Sequence, residues 1–130
     1  MELLEAMERR HAVRAYTDKK IEGSTAEALQ DIIAACNREG ELHIRLCLQE
    51  ERAFHGLMAR YGKFKNVRNY IALIGKDDEK LDEKCGYYGE KIVLEATKLG
   101  LQTCWVAVTS SKSKVPCTVK AGERLCCVIA

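Results

Sequence analysis

The stretch GYYGEKIVLEATKLGLQ, residues 86–102, constrains the fold more than any other part of this chain. Its apolar side chains recur at helical spacing but cover much of the circumference instead of one stripe. A helix of this kind must be buried on more than one side, so the other elements have to pack around it. Gly100 stands where a glycine commonly ends a helix. The apolar positions are Ile92, Val93, Leu94, Ala96 and Leu99.

Further helices are predicted nearer the N terminus. The apolar residues within 3–7 predict a short amphipathic helix that ends near the arginines. Ser24 and Glu27 form a capping-box pattern, apolar residues at helical spacing follow it, and Gly40 predicts the end of that helix. The stretch ERAFHGLMARYG, residues 51–62, predicts another short helix.

Four apolar stretches predict β-strands. Residues 42–48 alternate between apolar and other side chains, which is typical of a half-buried strand, whereas the run at 69–75 predicts a more deeply buried one. The remaining two predicted strands are at 103–109 and 124–130. The charged run at 76–84 predicts a loop or a helix start. Strands that alternate with helices predict an α+β fold of three layers, and 130 residues correspond to a single domain.

The composition is that of a soluble globular protein, with 47% hydrophobic and 31% charged residues. A net charge of +2 gives no indication of nucleic-acid or membrane binding, and a cytoplasmic location is expected. The seven cysteines lack metal-ligand spacing and are expected to be reduced and structural, with adjacent Cys126 and Cys127 on opposite faces of a strand. His43 and His55 are isolated, so no metal site is expected, and Cys104 has no basic neighbour that would activate it.

The stretch RRHAVRAY, residues 9–16, places three arginines and a histidine within eight positions. These arginines could simply be solvated at the end of the first helix, where they complement its dipole. They could equally bind an anion, because the guanidinium group offers two parallel donors to a phosphate.

Three stretches, in order along the chain, resemble the flavin-dependent nitroreductase family. RHAVRAY, residues 10–16, is similar to the N-terminal basic element of that family, and residues 61–76 resemble the segment that leads into a central strand. Residues 86–105 resemble the core helix and the turn that follows it. The family domain continues beyond the position of Ala130, so the resemblance implies a chain that lacks the C-terminal portion of the family.

The resemblance implies a nitroreductase-like fold with a central mixed β-sheet flanked by helices. It also implies a homodimer with FMN at the interface, reduced by NAD(P)H and reoxidised by nitroaromatic, quinone or similar acceptors in a ping-pong mechanism. The cofactor carries this chemistry, so no catalytic side chain is expected.

The resemblance also implies the residues that contact FMN. Two arginines match the phosphate-binding positions, the two residues that follow the first of them lie beside the cofactor, and a loop residue pair matches the contact with the pyrimidine edge. The turn after the core helix matches the backbone that approaches the isoalloxazine ring. These positions are Arg10, Arg14, His11, Ala12, Lys65, Asn66, Trp105, Val106 and Ala107.

Some positions depart from the family pattern and leave alternatives open. Ala12 stands where the family often has serine, and Ala107 and Val108 stand where many members have two glycines. These departures favour a second interpretation, a non-catalytic family member that binds flavin or a partner. Trp105 also fits an ordinary core residue, and the basic and aromatic residues at 60–68 fit, more weakly, an RNA-binding surface.

Overall fold

The computed structural model describes residues 1–50, 64–107 and 119–130. In this part of the chain the helices are α1 (Leu3–Arg9), α2 (Gly23–Gly40) and α3 (Leu81–Lys98), and the strands are β1 (Arg45–Cys47), β2 (Tyr70–Lys76), β3 (Trp105–Ala107) and β4 (Glu123–Ile129). The helix predicted at 51–62 lies outside the described residues, as do positions 108 and 109 of the predicted third strand.

The four strands form one sheet in the order β1-β2-β4-β3. Every pair of neighbouring strands is antiparallel. The parallel pairing expected of a mixed sheet is limited, within the described ranges, to the single-residue bridges Ala12 to Thr103 and Ala15 to Lys65. The reason is that the N-terminal segment meets these loops at isolated points and does not extend into a strand.

The sheet separates two groups of buried side chains. On one face, α2 and α3 pack through residues such as Leu29, Ile33 and Ile92 against Leu73 and its neighbours. The other face buries alternate residues of the same strands, among them Tyr70, Val106 and Val128, with Tyr16 and Phe64 packed against them. The strand predicted at 69–75 is therefore confirmed, and its burial on both faces explains its continuous apolar run.

A β-bulge corrects the prediction for the adjacent cysteines. The register between β2 and β4 shifts after Leu73, which pairs with Cys127, while Ile74 pairs with Leu125. Cys126 is thus the extra residue of the bulge. Both Cys126 and Cys127 pack against the buried side chains on the face of the sheet that α2 and α3 cover. Simple alternation had placed them on opposite faces, and the prediction was wrong because one inserted residue resets the alternation.

The helix ends agree with the sequence only in part. The positive φ of 83° at Gly100 confirms this glycine as the residue that follows α3. The helix starts at Leu81, inside the charged run, and its first turn carries Asp82 and Glu83, which complement the helix dipole. The capping box at Ser24 is not formed, because α2 already begins at Gly23 and its N-cap residue makes no side-chain hydrogen bond.

Helix α1 confirms the short N-terminal helix but buries a different side chain from those that suggested it. Ala6 is fully buried where α1 packs on α3. Leu3, Leu4 and Met7, the apolar residues of the pattern, are 40%, 74% and 55% exposed. The helix therefore presents an apolar face to its surroundings in the single chain.

Candidate cofactor site

The segment that carries the arginines is held against two other parts of the chain by backbone hydrogen bonds. Val13 N donates to Thr103 O at 3.0 Å, beside the start of β3. Lys65 N donates to Arg14 O at 2.8 Å, and Tyr16 N donates to Lys65 O at 3.1 Å. The structure therefore brings together the three stretches that suggested a flavin site, although they are about 50 and 40 residues apart along the chain.

The three arginines of this segment have different surroundings. Arg9 is an exposed residue of α1, and its guanidinium lies 3.0 Å from Glu5. Arg10 follows the helix in an extended conformation, and its Nε is buried without a hydrogen-bond partner among the described residues. Arg14 is exposed. A buried and unpaired guanidinium N–H at Arg10 fits the phosphate of FMN, since that anion would satisfy it.

The two residues that follow Arg10, His11 and Ala12, are both exposed. The His11 ring nitrogen Nδ1 lies 3.1 Å from the Arg9 carbonyl oxygen. Ala12 forms the bridge to Thr103, which fixes its backbone beside β3. An exposed backbone at this position can approach a cofactor, whereas the alanine side chain provides no hydroxyl donor.

Lys65 and Asn66 lie in the same loop but differ in what their side chains do. The Lys65 backbone makes both hydrogen bonds to the arginine segment, and its side chain is exposed. Asn66 has a positive φ of 61°, and its Nδ2 donates to Tyr16 O at 3.0 Å and to Asp18 Oδ1 at 2.8 Å. The amide donors of Asn66 therefore point back to the N-terminal segment.

Tyr16 is a residue of this site that the sequence did not single out. Its hydroxyl donates to the Val13 carbonyl, which closes a local loop within the arginine segment. Burial, with a smaller contribution from Cys104, raises the pKa of Tyr16 well above its ordinary value, so the hydroxyl remains a neutral donor. A tyrosine two residues after Arg14 is a weak signal, since only the fold shows which carbonyl it reaches.

The three predicted residues after the core helix differ in burial, since two pack in the core and one is exposed. The Trp105 indole packs on the helix side of the sheet, and its Nε1 donates to Glu90 Oε2 at 3.3 Å. Val106 is buried on the opposite face of the sheet, and Ala107 is exposed. The Trp105 ring therefore makes core contacts in this chain, and the contacts of all three residues with FMN stay a prediction.

A cavity of about 330 Å³ lies behind the arginine segment. Val13, Ala15 and Tyr16 line it on one side, and Leu29, Leu99 and Ile129 line it from the helices and the sheet. Arg10, Ala12 and Arg14 do not line it. The segment thus has an inner side that faces the cavity and an outer side that carries the arginines.

Burial disfavours the thiolate form at several of the described cysteines. Burial raises the pKa of the Cys85 thiol to about 12, and it also raises the pKa of Cys126 and of Cys127. The Cys126 thiol lies 3.3 Å from Asp82 Oδ1, which further disfavours the thiolate. Cys104 is buried, with its Sγ 3.5 Å from the Trp105 carbonyl oxygen. All six cysteines within the described ranges are free, and Cys117 lies outside them.

The described residues offer neither a metal site nor a membrane-spanning helix. They contain no group of three or more potential metal ligands, and the described His43 instead lies 3.1 Å from Glu123 Oε1. No helix in the described part is both long and apolar enough to cross a membrane.

Comparison with known proteins identifies the class. The family model described as Putative TM nitroreductase matches residues 2–130, so the chain belongs to this nitroreductase family. A search of curated protein sequences finds no match.

Solved structures show the same fold. An FMN-dependent nitroreductase from Clostridium difficile R20291 has a TM-score of 0.73 and 19% identity, with 98% of this chain and 84% of that chain covered. A nitroreductase with bound FMN from Bacteroides fragilis NCTC 9343 has a TM-score of 0.66 and 18% identity, with 100% and 87% covered. A protein named Putative NADH dehydrogenase/NAD(P)H nitroreductase, from Parabacteroides distasonis ATCC 8503, has a TM-score of 0.74 and 20% identity, with 98% and 83% covered.

Proposed function

We propose that this chain is an FMN-dependent oxidoreductase that oxidises NAD(P)H and reduces nitroaromatic, quinone or similar acceptors by a ping-pong mechanism. The observation that carries the proposal is the meeting of residues 10–16 with Lys65 and with Thr103 through backbone hydrogen bonds. The family match, the FMN bound to the Bacteroides fragilis relative and the name of the Parabacteroides distasonis relative support it.

In this proposal the residues of the arginine segment bind the phosphate. Arg10 would donate its buried Nε–H, and Arg14 would add a second guanidinium from the exposed side of the same segment. His11 and Ala12 would lie beside the cofactor, with the Ala12 backbone fixed by its bridge to Thr103. The positive charge of these arginines explains why a dianionic group would bind here in preference to a neutral one.

The remaining site residues would surround the flavin ring. When bound, FMN supplies the hydride and electron chemistry. Lys65 would place a positive charge near the pyrimidine edge, where it would stabilise the anionic reduced state. Asn66, Trp105, Val106 and Ala107 would border the ring through backbone groups, because the described side-chain contacts of Asn66, Trp105 and Val106 are within the protein.

A homodimer is part of the same proposal. The exposed apolar face of α1 and the 62% exposed ring of Tyr87 on the adjacent α3 would be covered by a second copy. Burial of such side chains is a common driving force for association.

The test is a binding series on the purified chain. Wild-type protein purified with added FMN should be yellow, and FMN should raise its thermal stability. Arg10→Ala and Arg14→Ala should each weaken FMN binding about 10- to 100-fold, since each removes a charge-assisted hydrogen bond of roughly 1.5–3 kcal/mol. Arg9→Ala is the matched control, because Arg9 is already paired with Glu5, and it should change the affinity less than about threefold.

A colourless protein without FMN-dependent stabilisation would exclude the proposal. Equal losses in all three arginine variants would show a general charge effect instead of a phosphate site.

The non-catalytic alternative remains distinct because Ala12 offers no hydroxyl and Ala107 narrows the space beside the ring relative to glycine. It predicts flavin or partner binding without NAD(P)H oxidation. Steady-state oxidation of NAD(P)H with a quinone or a nitroaromatic acceptor would therefore reject it.

A further inference from the structure

We infer that Asn66 is a positioning residue whose side chain latches the arginine segment in its phosphate-binding conformation, and that this side chain acts without contacting the flavin. The inference rests on the proposed function for the identity of the ligand. The latch itself consists of the Asn66 side chain, the Tyr16 carbonyl and the Asp18 carboxylate.

The geometry of Asn66 directs its amide towards the segment. Nδ2 donates one hydrogen bond to Tyr16 O at 3.0 Å and another to Asp18 Oδ1 at 2.8 Å, across about 50 residues of sequence. An amide nitrogen has two N–H donors, so both are used within the protein. Asn66 has a positive φ of 61°, a backbone conformation that asparagine adopts more readily than most residues.

The cavity explains why a latch is needed at this position. Val13, Ala15 and Tyr16 line the cavity of about 330 Å³, although Tyr16 also packs against the buried core. Where the segment borders the cavity it lacks close packing partners, so its hydrogen bonds to the neighbouring loops help to hold it in place. Two of these attachments are backbone bonds, at Thr103 and at Lys65, and Asn66 supplies the side-chain attachment just beyond Tyr16.

An ion pair between Arg68 and Asp18 also helps to attach the arginine segment to this loop. The Arg68 guanidinium lies 3.4 Å from Asp18 Oδ1, the atom that also accepts the bond from Asn66. Asp18 is thus held from the loop that contains residues 66–68. The loop fixes the segment on the C-terminal side of Arg14, while Thr103 fixes it on the N-terminal side.

The test compares FMN with riboflavin, which lacks the phosphate. Asn66→Gly keeps the positive φ without strain and removes only the amide, whereas alanine would add backbone strain. Asn66→Asp keeps the size and removes the donors. In both variants we expect FMN affinity to fall roughly 3- to 30-fold, because part of the population leaves the binding conformation, while riboflavin affinity is unchanged. Asp18→Ala should give a smaller loss, and adding it to Asn66→Gly should lower FMN affinity by less than Asp18→Ala does alone, because only the ion pair with Arg68 is then left to remove.

Hydrogen exchange provides a readout that does not depend on flavin. Asn66→Gly should speed amide exchange in residues 12–18 relative to wild type, without a matching change in α3. Equal losses of FMN and riboflavin affinity would overturn the inference, because they would place the Asn66 side chain on the ring. Unchanged FMN affinity together with unchanged exchange would overturn it as well. If the wild-type chain fails to bind FMN, the proposed function fails, and faster exchange in residues 12–18 would still support the latch.

Discussion

Gly89 lets α3 approach the sheet closely, and replacing it with alanine tests this packing directly. A Cβ atom at position 89 would clash with Cη2 of Trp105, and it would lie 3.2 Å from Cζ2 of the same ring and 3.1 Å from Cδ1 of Leu73. Carbon atoms in contact are normally about 3.5–4.0 Å apart, so the indole would have to move by about 1 Å or more. That movement would also strain the hydrogen bond from Trp105 Nε1 to Glu90.

The magnitude follows from two opposing contributions. Overpacking of this kind costs about 1–3 kcal/mol, and the short contact at Gly89 favours the upper half of that range. Alanine in place of glycine stabilises a helix interior by about 1 kcal/mol. Gly89→Ala should therefore lower the free energy of unfolding by about 1–2 kcal/mol.

Gly86 provides the matched control on the same helix. A Cβ there would meet nothing within 4 Å, so Gly86→Ala should raise the stability by up to about 1 kcal/mol. The helix-propensity gain cancels between the two variants, and their difference of about 2–3 kcal/mol measures the contact alone.

The assay is urea and thermal unfolding followed by tryptophan fluorescence, because Trp105 is the single tryptophan and reports its own surroundings. Each kcal/mol corresponds to roughly 2–8 °C in Tm for domains of this size range. If Gly89→Ala proves as stable as Gly86→Ala, with unchanged native emission, the close contact between α3 and Trp105 does not exist.

Three further predictions address other parts of the molecule. Leu4→Glu and Met7→Glu should convert a homodimer to a monomer in light scattering while leaving the fold intact by circular dichroism, because both side chains are exposed in the single chain. Asn37→Ala should lower the free energy of unfolding by about 2–4 kcal/mol in urea titrations, since it leaves both backbone groups of buried Ile44 without partners. Burial raises the pKa of Cys85 from 9.0 to about 12, so the unfolded chain releases this proton first, and stability should fall as pH rises from about 9 towards 12.

Each of these predictions has its own control. Glu8→Gln, on the same helix, should leave the oligomeric state unchanged, and a wild-type monomer would reject the proposed interface. Asn37→Asp keeps an acceptor for the Ile44 N–H and should cost less than alanine. Cys85→Ser should flatten the alkaline decline in stability, and an equally steep decline in that variant would assign it to other groups.

The elements that were predicted best are those whose burial can be inferred from the arrangement of apolar residues within one segment. The run at 69–75 is a strand buried on both faces, residues 86–98 of the apolar stretch at 86–102 lie within the long helix α3, and Gly100 follows the helix at a positive φ. In these cases the length and the arrangement of the apolar residues indicate the type of element. The sequence left the charged run at 76–84 open between a loop and a helix start, because Asp82 and Glu83 fit both a solvated loop and a first helical turn, and the structure places the start of α3 there.

For the candidate site, the sequence indicated which residues to consider but not most of the contacts that they make. The sequence indicated the arginine segment and the loop at Lys65 and Asn66, and the structure brings the two together. It did not indicate Tyr16 or Asp18, because their partners are a carbonyl and an amide that only the fold places nearby.

By itself, the sequence determined which segments form helices and strands, and it determined the family through short motifs in order. Both follow from local periodicity and residue identity, which are present before the chain folds. The tertiary structure decided the bulge that turns Cys126 and Cys127 to one face, the exposure of the apolar residues of α1, and the direction of the Asn66 amide. These features depend on contacts between distant segments, where one inserted residue or one positive φ redirects a side chain.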